Sequence, residues 1–239
     1  IHRTRSLIVL AAFSTVVASS ATRTGANDVR NIILIAGLKS HGPEDNGIHD
    51  YAWSVRLLKT ALESSIIRER VHVSLHLNGW PTDSRSLEDA DTVMIISNGR
   101  DGENGREAAH LATDERIRLV DSLMQQGCGL MTFHSSTFAP DKHAEKVLNW
   151  SGGYFDWKTD GKREWYSNTR TMAATVRPAF ERHPLLHGVT AFEMRDEFHC
   201  DIRFRDRDPR WTPIWKVDGL PATHSSGQVV SWAVERTNA

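Results

Sequence analysis

Gly127-Cys128-Gly129-Leu130-Met131-Thr132-Phe133-His134-Ser135-Ser136 is the run that sets the architecture of the 239-residue chain. It opens on a Gly-x-Gly turn, continues as a short apolar strand, and ends at a histidine followed by two serines. A strand apolar on both faces belongs inside a parallel sheet. Side chains that leave the carboxyl end of such a strand meet ligands. His134 is the first side chain to emerge there.

Working outward, Asn31–Ala36 (NIILIA) is a second continuous apolar run, closed by Gly37. Val71–Leu77 alternates apolar and polar residues, and Thr92–Ile96 (TVMII) is a third buried strand. Ala52, Val55, Leu58, Leu62 and Ile66 recur at helical spacing, predicting a helix over 50–68 with Asp50 as its N-cap. Ile117, Val120, Leu123 and Met124 predict a second helix over 114–126, stopped by Gly127. Strands alternating with helices from 31 to 136 argue for an α/β fold with a parallel sheet and helices on both faces. Residues 137–170 break the pattern with Trp150, Tyr154, Phe155, Trp157 and Trp165, and read as a wall or lid. Strand signals return at 172–176, 192–198, 211–215 and 229–234.

The formal net charge is −1, so no basic excess marks a nucleic-acid partner. Arg3 and Arg5, the apolar run Leu7–Ala18, and Ser19-Ser20-Ala21 have the order of a secretory signal peptide, with a buried helix as the alternative. The run is short of the roughly 20 apolar residues of a bilayer span. Residues 1–28 are therefore read as a leader and 29–239 as one domain, exported to a periplasmic or extracellular setting. Cys128 and Cys200 could pair in such a compartment or stay apart. Self-association into a homo-oligomer is left open.

The strand ends carry His41, Asp45, His49, Asp83, Asn98, His134, Ser135, Ser136, Asp196, Glu197 and His199. Imidazoles and carboxylates suit a zinc-like divalent metal, with His41, His49 and His134 as candidate ligands, although HxH and HExxH spacings are absent. A histidine and a half-buried carboxylate also suit general acid–base work, with desolvation raising Glu197. The alternative for Asp196 and Glu197 is a strand-end cap or ion pair. Ser135 or Ser136 beside His134 has some likeness to a nucleophile elbow, yet Gly-x-Ser-x-Gly is missing. Trp80, Trp150, Tyr154, Phe155, Trp157 and Trp165 could stack sugar rings or serve packing.

Leu34-Ile-Ala-Gly37, Ser40-His41-Gly42, His49-Asp50-Tyr51, Trp80-Pro81-x-Asp83, Ser97-Asn98-Gly99, Gly127-x-Gly129 to His134, Trp150-x-Gly152-Gly153-Tyr154-Phe155, His183-Pro184 and Asp196-Glu197-Phe198, in this order, resemble the trehalose-utilisation (ThuA-like) family. The resemblance implies a flavodoxin-like, class I glutamine amidotransferase-like three-layer sandwich with a mainly parallel central sheet. It implies a small carbohydrate partner, trehalose or a related disaccharide, reached through 3-keto-sugar intermediates. Where amidotransferases carry a nucleophilic cysteine, this chain has His134-Ser135, so glutamine hydrolysis is not expected. By position, His41, His49, His134 and Glu197 are expected to line the site, and His134 and Glu197 are taken as the catalytic pair that handles protons. His41, His49, Trp80, Asp83, Asn98, Ser135, Tyr154 and Asp196 are the expected substrate contacts. His199-Cys200 departs from the aromatic residues frequent in relatives. Relatives continue past the position of Arg236, so the resemblance implies a domain that extends beyond this sequence. A sugar-binding or sensing protein of the same fold, without chemistry, is the alternative.

Overall fold

In the computed structural model, the described residues are 29–43, 46–98, 111, 113–138, 141–159, 163–180 and 183–237, with the side chains of 141, 157–159 and 163–165 outside the description. The leader and Asp45 also lie outside it.

The apolar run at 31–36 becomes β1 (Arg30–Ala36), and its two faces are buried differently. Ile33 and Ile35 join one core, while Leu34 and Ala36 join another. The parallel sheet is completed by β2 (Val71–His76), β3 (Thr92–Ile96) and β4 (Gly129–Phe133), in the order β2-β1-β3-β4. Helix α1 (Tyr51–Glu63) covers one face through Tyr51 and Val55. Helix α2 (Asp114–Gln125) covers the other through Ile117, Val120, Leu123 and Met124. Doubly wound sheets of this order reverse direction between β1 and β3, and ligands collect outside the carboxyl ends at that point.

Helix ends differ from expectation in two places. Asp50 precedes α1, but its side chain makes no capping bond. The helix stops at Glu63, because Ser64-Ser65 follows and the Ser65 hydroxyl donates to the Leu62 carbonyl (2.7 Å). Ile66, though in helical register, is fully exposed. At α2, Thr113 Oγ1 accepts from Arg116 N (3.3 Å), and Asp114 and Glu115 sit in the first turn, where carboxylates oppose the helix dipole.

Beyond β4 the chain forms α3 (Ala144–Ser151), β5 (Gly153–Tyr154), and a hairpin of β6 (Trp157–Thr159) and β7 (Arg163–Trp165). Strands β8 (Asn168–Pro178), β9 (Phe192–Cys200), β11 (Trp211–Val217) and β12 (Val229–Val234) then make a separate antiparallel sheet, ordered β12-β11-β8-β9. The short β10 (Arg203–Phe204) pairs with β5. The α/β class and the four-stranded parallel sheet match the sequence reading. The later strands do not extend that sheet but build a second one with its own core around Phe198, Ile214, Trp215 and Val217. Among the described residues no helix is long and apolar enough to cross a membrane.

Within 137–170, several described aromatic residues are built into the interior. Trp150, Tyr154 and Phe155 are buried, and Trp150 Nε1 donates to Asp121 Oδ1 (3.0 Å). The side chains of Trp157 and Trp165 lie outside the described residues. Gly152 ends α3 in left-handed backbone (φ +72°), and a Cβ there would lie 2.3 Å from Val234 Cγ2, which is fully buried. Gly152→Ala is therefore expected to cost about 2–5 kcal/mol, combining backbone strain with overpacking. Denaturant unfolding would measure it, and an unchanged midpoint would sink the assignment.

Candidate functional site

The loop after β1 brings Ser40, His41 and His49 to the sheet's carboxyl rim. Ser40 Oγ is its hub, 2.8 Å from His41 Nδ1, 2.9 Å from His49 Nδ1 and 3.2 Å from the Tyr51 hydroxyl. The Tyr51 hydroxyl is also 3.1 Å from His49 Nδ1, so one nitrogen of the His49 ring is held by hydroxyls. Burial pushes the Tyr51 phenol up to about 12, which keeps it a neutral hydrogen-bonding group.

His134 leaves β4 with left-handed backbone (φ +55°), and His49 is left-handed too (φ +49°). Such backbone costs on the order of 1–3 kcal/mol per non-glycine residue and persists where the surroundings enforce it. The enforcement at His134 is Ser136. Its buried Oγ accepts from Phe133 N (2.7 Å) and lies 2.7 Å from the carbonyls of Ile95 and Phe133, fixing the turn to β3. That hydroxyl is engaged in holding the backbone. Ser135 Oγ lies 2.9 Å from His134 Nδ1 and so orients the ring.

β9 supplies the remaining groups. Alternation along the strand sends Phe192, Met194, Phe198 and Cys200 into the second core and puts Glu197 and His199 on the opposite face. Glu197 Oε1 lies 3.5 Å from His134 Nε2 and 3.6 Å from His199 Nε2. The His49 and His134 ring centroids are 4.9 Å apart, and those of His134 and His199 are 4.8 Å apart. Phe138 and Phe155 stack on each other, and both rings stand steeply inclined to the His199 ring.

Burial pushes the His134 imidazole well below its ordinary value, and His199 and His49 push it further, so the ring is neutral at neutral pH. His49 is lowered by burial and then by His41. Glu197 corrects the sequence reading. Its carboxyl is lowered, because the adjoining His199 ring, with His134 and His49, outweighs the desolvation that would raise it.

His49, His134 and Glu197 each offer a ligand atom, and these three atoms lie within 4.8 Å of one another. Two imidazoles and an ionised carboxylate could hold a divalent metal. The triad takes Glu197 in place of the expected His41, whose ring stands edge-on to His49 at 4.1 Å. With Nδ1 of both His49 and His134 engaged by hydroxyls, Nε2 is the nitrogen left for a ligand, the usual outer-shell arrangement of metal-binding histidines. His199 Nε2 is buried and has no hydrogen-bond partner among the described residues, so a further donor faces the same carboxylate.

The other expected contacts are dispersed. Asp83 is exposed, accepts from Arg85 N (3.0 Å) and pairs with the Arg85 guanidinium (2.8 Å). Trp80 packs on the first core with the Arg116 guanidinium 5.3 Å above its ring, and Tyr154 is buried in that core. Asn98 is half-buried just past β3. Asp196 accepts from Glu197 N (2.8 Å) and borders a cavity shared with His134. Cys128 and Cys200 are free and buried in different cores, and burial pushes the Cys128 thiol up to about 11. The sequence reading gave no role to Ser40 or Tyr51 and kept His199 only in the inventory of strand-end residues. The signal for His199 was available in the i, i+2 spacing from Glu197 on one strand.

No protein-family model matches the sequence, and no curated protein matches it. Among solved structures, the chain is similar to a protein described as ThuA-like from Bacteroides uniformis. The two share 12% identity with a TM-score of 0.53, over 84% of this chain and 72% of that one. Weaker likenesses are to PurLQS from Thermotoga maritima (10% identity, TM-score 0.44, 87% and 86% of the two chains) and a glutamine amidotransferase from the same organism (7%, 0.42, 86% and 74%). At such identity the likeness to the Bacteroides protein is one of fold.

Proposed function

We propose that this chain is an exported ThuA-like protein whose His49–His134–Glu197 centre binds a divalent metal and acts on a carbohydrate of the trehalose or 3-keto-disaccharide type. The observation that carries the metal is the convergence of two neutral imidazoles and one ionised carboxylate from three separated segments. The sugar reading is supported by the ordered sequence motifs and by the fold shared with the Bacteroides protein. Export is supported by the basic, apolar and small-residue order of residues 1–21.

The protein's own groups would divide the work. Ser40 and Ser135 hold the His49 and His134 rings in the orientation that presents Nε2. Phe138 and Phe155 keep water from the His199 side. With Glu197 held as a ligand, His199, whose Nε2 lies 3.6 Å from Glu197 Oε1, is the group placed to take a proton from a substrate hydroxyl or carbon. A bound divalent ion would supply Lewis-acid polarisation of a substrate oxygen.

The test is elemental analysis of the purified protein after equilibration with zinc, with turnover of a 3-keto-disaccharide assayed before and after chelation. About one equivalent per chain is expected, with turnover that chelation removes. No stoichiometric metal at any loading would end this reading.

A further inference from the structure

A cavity of about 80 Å³ adjoins the candidate metal cluster, lined by the end of β4 and by the second sheet. His134, Glu197 and His199 form one side. Trp215 from β11 and Ser231 from β12 line it as well. These two are cross-strand partners, so their side chains share a face. The pairing shifts register on both sides of Trp215, and such bulges re-aim side chains next to sites. Both residues are 2% exposed, yet Trp215 Nε1 and Ser231 Oγ have no hydrogen-bond partner among the described residues. Leaving a buried donor unpaired is unfavourable, so a pair of them on residues that line one cavity points to a ligand.

We propose that Trp215 and Ser231 are the specificity pair of the site, holding an oxygen of a small neutral hydroxyl- or carbonyl-bearing ligand inside this cavity. The indole N–H can only donate, so the ligand atom it meets is an acceptor, while Ser231 can donate or accept. Among the described residues the cavity's lining carries two carboxylates, Asp196 and Glu197, and no lysine or arginine, which disfavours an anion. Aromatic and aliphatic walls from Phe133, Val176 and Trp232 suit the apolar face of a small polyol or of one edge of a larger one. The volume would admit about five water molecules, so ordered water is the competing occupant.

This inference deepens the proposed function and rests on its reading of the cluster as the reaction centre. Its test is separable, because it reads binding rather than turnover. Calorimetry with glycerol, ethylene glycol and acetate is run on the zinc-equilibrated full chain and on Ser231→Ala and Trp215→Phe. Glycerol and ethylene glycol are expected to bind the wild type, acetate not, and each variant is expected to bind about tenfold more weakly. Metal stoichiometry stays unchanged in both variants. The melting temperature of unliganded Ser231→Ala holds or rises, because an unpaired buried hydroxyl has been removed. A fall in that temperature with binding intact would make the hydroxyl a structural, water-bonded group and overturn the proposal. So would unchanged affinity in both variants, acetate binding as tight as ethylene glycol, or no binding of either neutral probe. Loss of metal from the wild type would instead strike the reaction centre alone.

Discussion

His134→Ala is expected to abolish stoichiometric metal binding and, with it, turnover. The substitution removes one of two imidazole donors and leaves His49 and Glu197 without the group between them. It also deletes the side chain for which β4 and Ser136 hold a left-handed backbone. Ser135→Ala should give a milder result, because it frees the ring without removing it. Loss of outer-shell partners of this kind lowers metal affinity by about 10–100-fold. Competition with a fluorescent chelator would rank the two against wild type. Wild-type affinity in His134→Ala would refute the centre, and equal effects of the two variants would refute the orienting role of Ser135.

Acid should destabilise the metal-free protein steeply, and His134 should be the main cause. In the folded state its proton affinity is depressed by burial and by His199 and His49, whereas in the unfolded chain it titrates near its ordinary value of 6.5. The unfolded state therefore binds more protons as pH falls below 6.5. Stability is fully present above that value and is lost as pH drops toward the folded-state value. Between about pH 7 and pH 5 the loss from His134 alone is about 2 kcal/mol. His49 is shifted the same way and adds to it. Glu197, lowered in the fold, adds a further loss below its own unfolded value of 4.5. Urea midpoints of chelator-treated wild type and His134→Gln across this range test the claim. A flat wild-type profile, or identical slopes for the two proteins, would contradict it.

The parallel half of the fold was legible because its strands are buried on both faces. Nothing but a central strand explains NIILIA or TVMII between turn residues, and the structure puts strands within those runs. The rim was legible for the same reason, since the carboxyl ends of such strands are where His49 and His134 had to emerge. The aromatic segment was not. Trp150, Tyr154 and Phe155 carry no period that separates a loop tip from a core, and they are core. The direction of the Glu197 shift was hidden too. Its local neighbours are apolar, while two of the imidazoles that decide its charge, His134 and His49, arrive from distant parts of the chain. Trp215 and Ser231 face one another only because of the irregular pairing of β11 with β12, which no alternation rule encodes.

The donors of the triad also fix an order of assembly. His49 and His134 belong to the parallel half and are translated before β9, which alone carries the carboxylate. A nascent chain that has folded its first sheet thus holds two imidazoles of the triad and not its carboxylate, a weak trap for a cation. On the proposed reading, competence for metal would arrive only when the second sheet forms. A bound ion would then act as a staple between the two sheets, closing long stretches of chain whose joining is entropically costly.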